Sequence, residues 1–313
     1  MTPRLSVIIA SYNHQDYIAQ TLRSIEEQTF QDFEIILIDD GSSDRTVEVA
    51  RRTESRAQIH TQRNQGVVAA RNRGVELAQG QYLCFVDSDD LVLPQRFERQ
   101  VSFLDAHPEI GLVYAEALII DAEGHGLGRL SDVYPVKPGD AAEMLALHYC
   151  FVPMITAMVR TDVLKKAGPF ERPGPISDYI KWIEVAHLSG AHYDPEPLGC
   201  WRRHPRSTSK QANKVKSYAK TRAALKRTLR KYPDLARRLG KRIVRRYARS
   251  YFLTGFWLAA DGDVPRARKY YAKAIKLHPA SAANWGGYLL TLAPAQRLVV
   301  ALHRYVRARK LPW

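Results

Sequence analysis

The stretch Tyr82-Leu-Cys-Phe-Val-Asp-Ser-Asp-Asp-Leu-Val-Leu-Pro94 decides how this chain is read. Five apolar or near-apolar residues, Tyr82 to Val86, are short enough for a buried strand, and Pro94 marks the start of a helix. Between them stand Asp87, Asp89 and Asp90. Three carboxylates at a strand end repel one another, so the pattern calls for a positive group among them. A hard divalent cation, Mn²⁺ or Mg²⁺, meets that need, because such ions take one or two carboxylates with phosphate oxygens and water. An isolated Asp-x-Asp is as readily a solvated helix cap, and the flanking sequence must decide.

Upstream, Leu5 to Ser11 is a continuous apolar run rich in β-branched residues, the composition of a parallel strand buried on both faces. Tyr12-Asn13-His14 is a turn, and Ile18, Leu22 and Ile25 then recur at helical spacing. Phe33 to Ile38 is a second buried strand, ending in Asp39-Asp40-Gly41-Ser42-Ser43-Asp44, with a helix to about Arg52. A short strand near Gln58 to Thr61, Asn64-Gln65-Gly66 and a helix from Val67 to Ala78 lead back to Tyr82. Strand and helix alternate, which predicts an α/β fold whose mostly parallel sheet is flanked by helices through right-handed crossovers. Ligands of open α/β sheets bind beyond the carboxyl ends of the strands. Ser11 with Tyr12, Asp39 with Asp40, and Asp87 with Asp89 are all expected at that edge. No G-x-G-x-x-G follows the first strand and no G-x-x-x-x-G-K occurs, so a bound diphosphate would depend on a metal.

Ser6-Val-Ile-Ile-Ala-Ser-Tyr-Asn13, Ile38-Asp-Asp-Gly-Ser-Ser-Asp44, Asn64-Gln-Gly66 with Ala70-Arg-Asn72, and Phe85-Val-Asp-Ser-Asp-Asp90 resemble the successive signatures of family 2 glycosyltransferases. The resemblance covers roughly residues 4 to 210 and implies a GT-A fold. It also implies sugar transfer from a nucleoside-diphosphate donor, usually with inversion, aided by Mn²⁺ or Mg²⁺. Carried over by position, Ala10, Tyr12, Asp40 and Arg71 are the expected nucleoside contacts, Asp87 the acid at the ribose or sugar, and Asp89 the metal ligand. Asp39 is either a ribose contact or a structural turn, and Asp90 a helix cap or a group behind the metal ligand.

Farther on, Ile110 to Ile120 and Met154 to Arg160 read as strands, and Asp121 to Gly126 as a turn. His125 and His148 lack metal-ligand spacing to a partner. Ser177 is placed to cap a helix from Asp178 to Ser189, with Asp178 in its first turn. In the resembling family this helix opens Glu-Asp, and the Asp is the candidate general base. Here Ser177 replaces the Glu and Asp178 remains, so Asp178 is either the base or a cap. A carboxylate at a helix N-terminus is expected to stay ionised, as a base must. After a strand from Tyr193 to Trp201, Arg202-Arg-His-Pro-Arg-Ser-Thr-Ser-Lys210 has no apolar anchor and resembles the family's mobile loop over the diphosphate. Arg203 and His204 are its candidates for neutralising the leaving nucleotide.

Charge divides the chain. Residues 1–209 carry 21 Lys and Arg against 29 Asp and Glu, whereas residues 210–313 carry 26 against 3. The expected domains are therefore a 1–210 glycosyltransferase-like domain and an all-α basic region over 211–313. Within the latter, Gly255, Ala267, Tyr271, Ala274 and Pro279 resemble one tetratricopeptide unit. Basic helices bearing Phe252, Trp257, Trp285 and Trp313 suit an anionic membrane surface, with nucleic acid the less expected partner. Cys84, Cys150 and Cys200 are odd in number and far apart, which points to a reducing compartment and a cytoplasmic location, peripheral to a membrane's inner face. Leu277 to Gln296, the most apolar candidate span, reads as helices with a break. The expected acceptor is a glycan or lipid-linked hydroxyl. A non-catalytic sugar-nucleotide or lipid binder and an aspartyl-nucleophile phosphatase are the competing readings.

Overall fold

The computed structural model describes residues 2–53, 55–171, 176–207 and 213–292. The chain divides into two compact units, the first comprising residues 1–145 and 149–207 and the second the remainder. Thr208 to Lys210, the end of the apolar candidate span past Leu292, and Trp313 lie outside the described residues.

The first unit is built on one sheet that contains nine strands among the described residues. They are β1 (Leu5–Ser11), β2 (Phe33–Asp39), β3 (Gln58–Thr61), β4 (Tyr82–Asp87), β5 (Leu91–Val92), β6 (Leu112–Ile120), β7 (Gly126–Arg129), β8 (Met158–Arg160) and β9 (Ala191–Arg202). Their order is β3-β2-β1-β4-β8-β6-β9-β5, with β7 paired to β6. The first four strands run parallel, as right-handed β-α-β crossovers require. β8 enters antiparallel between β4 and β6, which makes the whole sheet mixed.

Register levels the acids. Ser11 sits opposite Asp39 and Ala10 opposite Asp87, so the carboxyl ends of β1, β2 and β4 finish at one height. The apolar runs behind them supply the core, with Val7, Ile9, Ile35, Leu37, Cys84 and Val86 at most 1 % exposed. Burying an aliphatic side chain of this size is worth about 1.5–3 kcal/mol, so these strands fix the rim firmly. The helix Val67–Leu77 approaches β1 so closely at Gly74 that a Cβ there would lie 2.4 Å from Ile8 Cγ2. That close fit brings Arg71, one turn earlier, down onto the sheet edge.

Several expectations need correction. Met154–Thr156 is a 3-10 turn, and only Met158–Arg160 is strand. The turn after β6 opens into β7, which sequence gave no reason to expect because its Gly-Leu-Gly-Arg is fully exposed. β5 is two residues long and exists because β9 pairs with it.

The second unit contains helices Lys214–Lys231, Pro233–Leu239, Lys241–Ala260, Val264–Leu277 and Ala282–Leu290. Leu258, Ala259, Ala267 and Tyr271 form its core cluster. Arg222 is buried there, its guanidinium donating to Ser250 Oγ and Thr254 Oγ1, each at 2.9 Å, and lying over the Tyr251 ring. The apolar candidate span is broken between Leu277 and Ala282, and no described helix is long and apolar enough to cross a membrane.

Candidate active site

Loops at the rim of β1 and β2 are laced together by short polar side chains. Asn13, at φ +56°, donates its N–H to Ser42 Oγ at 2.9 Å, and its own Oδ1 accepts from the N–H of Ser43 at 2.8 Å. Asp39 is buried and closes the turn after β2, accepting from the N–H of Ser42 at 3.0 Å and from its hydroxyl. Gly41 is required in that turn by its φ of +77° and because a Cβ would lie 2.9 Å from the amide nitrogen of Asn64. Asp40, also buried, accepts from Gln62 Nε2 at 2.7 Å and from the N–H groups of Gln65 and Gly66 at 2.9 and 2.7 Å. A carboxylate offers about four acceptor sites, so one remains beyond these three bonds. Beside it Tyr12 is 46 % exposed, an aromatic face open to solvent.

At the end of β4 the partners are ionic. Arg71, buried on its helix, donates from Nη2 to Asp87 Oδ1 at 2.6 Å. Asp178, half-buried in the first turn of the helix Ser177–Ser189, belongs to the same charge cluster. Burial pushes its pKa up and Asp87 adds to the push, against the opposing charge of Arg71. Desolvation thus outweighs the lowering that a helix N-terminus alone would give. Burial works against the charge on Arg71 too, but Asp87 and Asp178 outweigh it and raise its pKa. The helix cap is Ile176 rather than Ser177, whose Oγ is buried with no hydrogen-bond partner. Asn72 sets the approach to this helix by clamping both backbone groups of Phe170, at 3.0 and 2.8 Å. Phe170 in turn packs edge-on against Phe85 of β4.

Asp89 meets a group that sequence order hides. His204 Nε2 lies 2.8 Å from Asp89 Oδ2, and His204 is buried, with its Nδ1 lacking a hydrogen-bond partner. A ring nitrogen of His14 completes a cluster in which the ligand atoms of His14, Asp89 and His204 lie within 4.8 Å of one another. Burial would raise the Asp89 pKa, but the hydrogen bond to His204 and the nearness of His14 hold it below the usual carboxylate range. Asp90, fully inside, goes the other way, pushed well up by burial and then by the charges of Asp89 and Asp87. One carboxylate oxygen and two imidazole nitrogens form a donor set that suits a divalent transition-metal ion, so these residues fit the cation that the sequence called for. A second cluster, Asp121, Glu123 and His125, is largely exposed, and Asp121 accepts from the N–H groups of Glu123 and His125 in its own turn. His125 therefore has a partner that its spacing did not advertise.

From Arg202, the last residue of β9, to Ser207 the basic stretch is anchored, where a mobile loop was expected. Arg202 is 1 % exposed, donating to the carbonyls of Asp89 and Ala122 at 2.8 and 2.9 Å and to Gln20 Oε1 at 2.9 Å. Its N–H donates to Asp90 Oδ1 at 2.8 Å, so Asp90 ties β9 to the acid loop and caps no helix. His204 and Ser207 are buried as well, whereas Arg203 is exposed, its guanidinium 5.8 Å from the Trp201 ring centroid. Sequence reasoning missed His14 and Ser88. Both looked like turn filler, and their contact spans 74 residues, Ser88 Oγ lying 2.7 Å from His14 Nδ1.

Mixed α/β topology with acidic residues gathered at the carboxyl edge of a parallel β3-β2-β1-β4 core defines a sugar-transferase fold of the GT-A type. The chain belongs to glycosyl transferase family 2, whose family model matches residues 6–166. An uncharacterized glycosyltransferase of Rickettsia typhi is 28 % identical over 228 residues, 69 % of this chain and 70 % of that protein. One from Methanocaldococcus jannaschii is 30 % identical, covering 58 % of this chain and 64 % of its own length. The amylovoran biosynthesis glycosyltransferase AmsE of Erwinia amylovora is 30 % identical, covering 58 % and 70 %. Among solved structures, residues 1–349 of S. aureus TarS superpose with a TM-score of 0.63 at 18 % identity, covering 97 % of this chain and 92 % of TarS. The mannosyltransferase PcManGT of Pyrobaculum calidifontis, in complex with GDP-Man and Mn²⁺, gives 0.58 at 20 % identity, covering 98 % and 86 %. The protein is a glycosyltransferase of this fold.

Proposed function

We propose that the protein transfers a sugar, with inversion, from a nucleoside-diphosphate donor to a hydroxyl of a glycan or lipid-linked acceptor, with a divalent cation at Asp89. The observation that carries this reading is the pairing of Asp89 with buried His204 near the Arg71–Asp87 ion pair, the first suited to hold a cation and the second to order the donor. Related folds support the donor class: TarS has been crystallised with UDP and with UDP-GlcNAc, and PcManGT with GDP-Man and Mn²⁺.

In this reading Tyr12 stacks on the nucleobase, and the free acceptor site of Asp40 takes a base N–H. Ala10, at the end of β1, lets the nucleoside approach the strand, and Asp39 holds the turn beneath the ribose. Arg71 holds Asp87 oriented toward the donor's ribose or sugar. Asp178 accepts the proton of the attacking hydroxyl as the new C–O bond forms at the anomeric carbon. The bond from that carbon to the diphosphate oxygen breaks, and its electron pair leaves with the nucleoside diphosphate. A base with a raised pKa is the better proton acceptor near neutral pH. A bound divalent cation supplies the charge that offsets the departing diphosphate. His204 would hold that cation with Asp89, and exposed Arg203 is free to meet the phosphates.

AmsE, named for amylovoran biosynthesis, favours an envelope-polysaccharide acceptor. The basic second unit, with Trp285 at 44 % and Leu289 at 56 % exposure, suits a peripheral station on an anionic membrane surface at its cytoplasmic face. Thermal shift and calorimetry against a panel of nucleoside diphosphates, with and without Mn²⁺, test the reading on wild type and on Asp89→Ala. A nucleotide at about a hundred times its Kd adds roughly 2.7 kcal/mol of stability. Metal-dependent binding of one nucleotide, lost in the variant, supports the proposal, and failure of every nucleotide to bind overturns it.

A further inference from the structure

We propose that His14 is a third protein ligand of the cation, so that the site is a two-His, one-Asp centre that binds a transition-metal ion without nucleotide and discriminates against Mg²⁺. The proposal rests on the reading above only in placing a cation at Asp89. Three observations carry it.

The ligand atoms of His14, Asp89 and His204 already converge within 4.8 Å of one another, although they come from three separate loops. The two imidazole rings stand edge to face, with centroids 5.9 Å apart and planes at 86°, so both can turn a nitrogen toward one point without colliding. His14 is held from behind by Ser88. Ser88 is completely buried, and its hydroxyl donates its one hydrogen to the carbonyl of Ala10 at 3.3 Å. Its oxygen lies 2.7 Å from His14 Nδ1 and accepts from that nitrogen in the tautomer whose Nε2 carries the lone pair a metal needs. A metal-binding imidazole is ordinarily held this way, its second nitrogen donating to a neighbour that fixes ring and tautomer. The middle residue of Asp-Ser-Asp thereby becomes the orienting group for a histidine 74 residues earlier.

The donor set decides the metal. A site of carboxylate and water oxygens leaves Mg²⁺ competitive, whereas two imidazole nitrogens favour Mn²⁺, Co²⁺ and Zn²⁺ over it. Three protein donors also hold an ion that a lone carboxylate would bind only with the help of phosphate oxygens.

The test uses full-length, metal-stripped protein without nucleotide, titrated with Mn²⁺ and with Mg²⁺ competition by electron paramagnetic resonance, and with Co²⁺ by visible absorption. The Asp121→Asn background removes the exposed cluster as a competing site. Mn²⁺ is expected to bind at least about tenfold more tightly than Mg²⁺. His14→Asn retains an amide donor near the Nδ1 position for Ser88 but lacks the outer nitrogen, and should weaken Mn²⁺ binding by about 10–100-fold while the metal-free Tm stays in place. Pulsed resonance on the wild-type Mn²⁺ complex counts imidazole nitrogens directly, so the proposal stays testable should that variant misfold. Two coordinated imidazoles support it. One or none, an unchanged Mn²⁺ affinity in folded His14→Asn, or no ion bound without nucleotide overturns it. An ion held by two imidazoles in a protein that binds no nucleoside diphosphate would instead leave this centre standing and remove the transferase reading.

Discussion

Two acidic clusters end β2 and β4, on either side of β1 in the same sheet, and they are put to opposite uses. Asp39 and Asp40 face N–H groups, a hydroxyl and an amide of the turns around them, with partners at Ser42, Gln62, Gln65 and Gly66. Asp87, Asp89 and Asp90 face Arg71, His204 and one another, and two of them are driven apart in acidity, Asp89 down and Asp90 up. Carboxylates that meet amides hold the backbone in shape. Those that meet charges and each other store electrostatic energy, which is where chemistry is done.

The sharpest way to break this contrast is at the neighbouring base. Asp178→Asn should lower kcat by roughly 10²–10⁴-fold while nucleotide affinity is kept. In the wild type, kcat/KM should fall as pH drops through a pKa lying above the ordinary aspartate value, because burial and then Asp87 raise it and a base acts deprotonated. An acid limb at the ordinary value, or a variant with full activity, would put the chemistry elsewhere.

Next in size is the scaffold cluster. Asp40→Ala leaves Gln62 Nε2 and two N–H groups without their acceptor, and urea unfolding should register a loss of about 2–4 kcal/mol. If that variant were as stable as wild type yet failed to bind nucleotide, Asp40 would belong with the chemical acids and the contrast would collapse.

The smallest effect is expected at Asp90. An acid whose folded pKa is raised keeps its proton through a pH range in which the unfolded chain has lost it. Stability therefore declines as pH climbs from the ordinary aspartate value to the raised one, then levels off. Asp90→Asn removes that ionisation while an amide oxygen still accepts from Arg202 N–H, so its Tm should stay flat where the wild type declines. A parallel decline in both proteins would mean that Asp90 is ionised in the folded state.

Much of the architecture was legible because its causes are local. Leu5–Ser11 and Tyr82–Asp87 are strands where apolar runs said so, and Ile18–Glu26 is a helix where the spacing said so. β5 and β7 were not legible, since each exists through pairing with a distant strand rather than through its own composition. The same holds for the basic segment after β9. Arg202 to Ser207 read as part of a mobile loop over the diphosphate, yet Arg202 and His204 are buried because β9 returns alongside β5 and delivers them to Asp89 and Asp90.

The sequence by itself determined the alternation of strand and helix, the family signatures and the arrival of acids at one sheet edge. Hydrophobic period and strand ends are properties of neighbouring residues, so they survive in a linear string. Only the tertiary structure decided which acids hold turns and which hold charge, and that His14, Ser88 and His204 gather at Asp89. Those roles depend on contacts across as many as 115 residues, on burial that moves a pKa, and on which donor each oxygen meets.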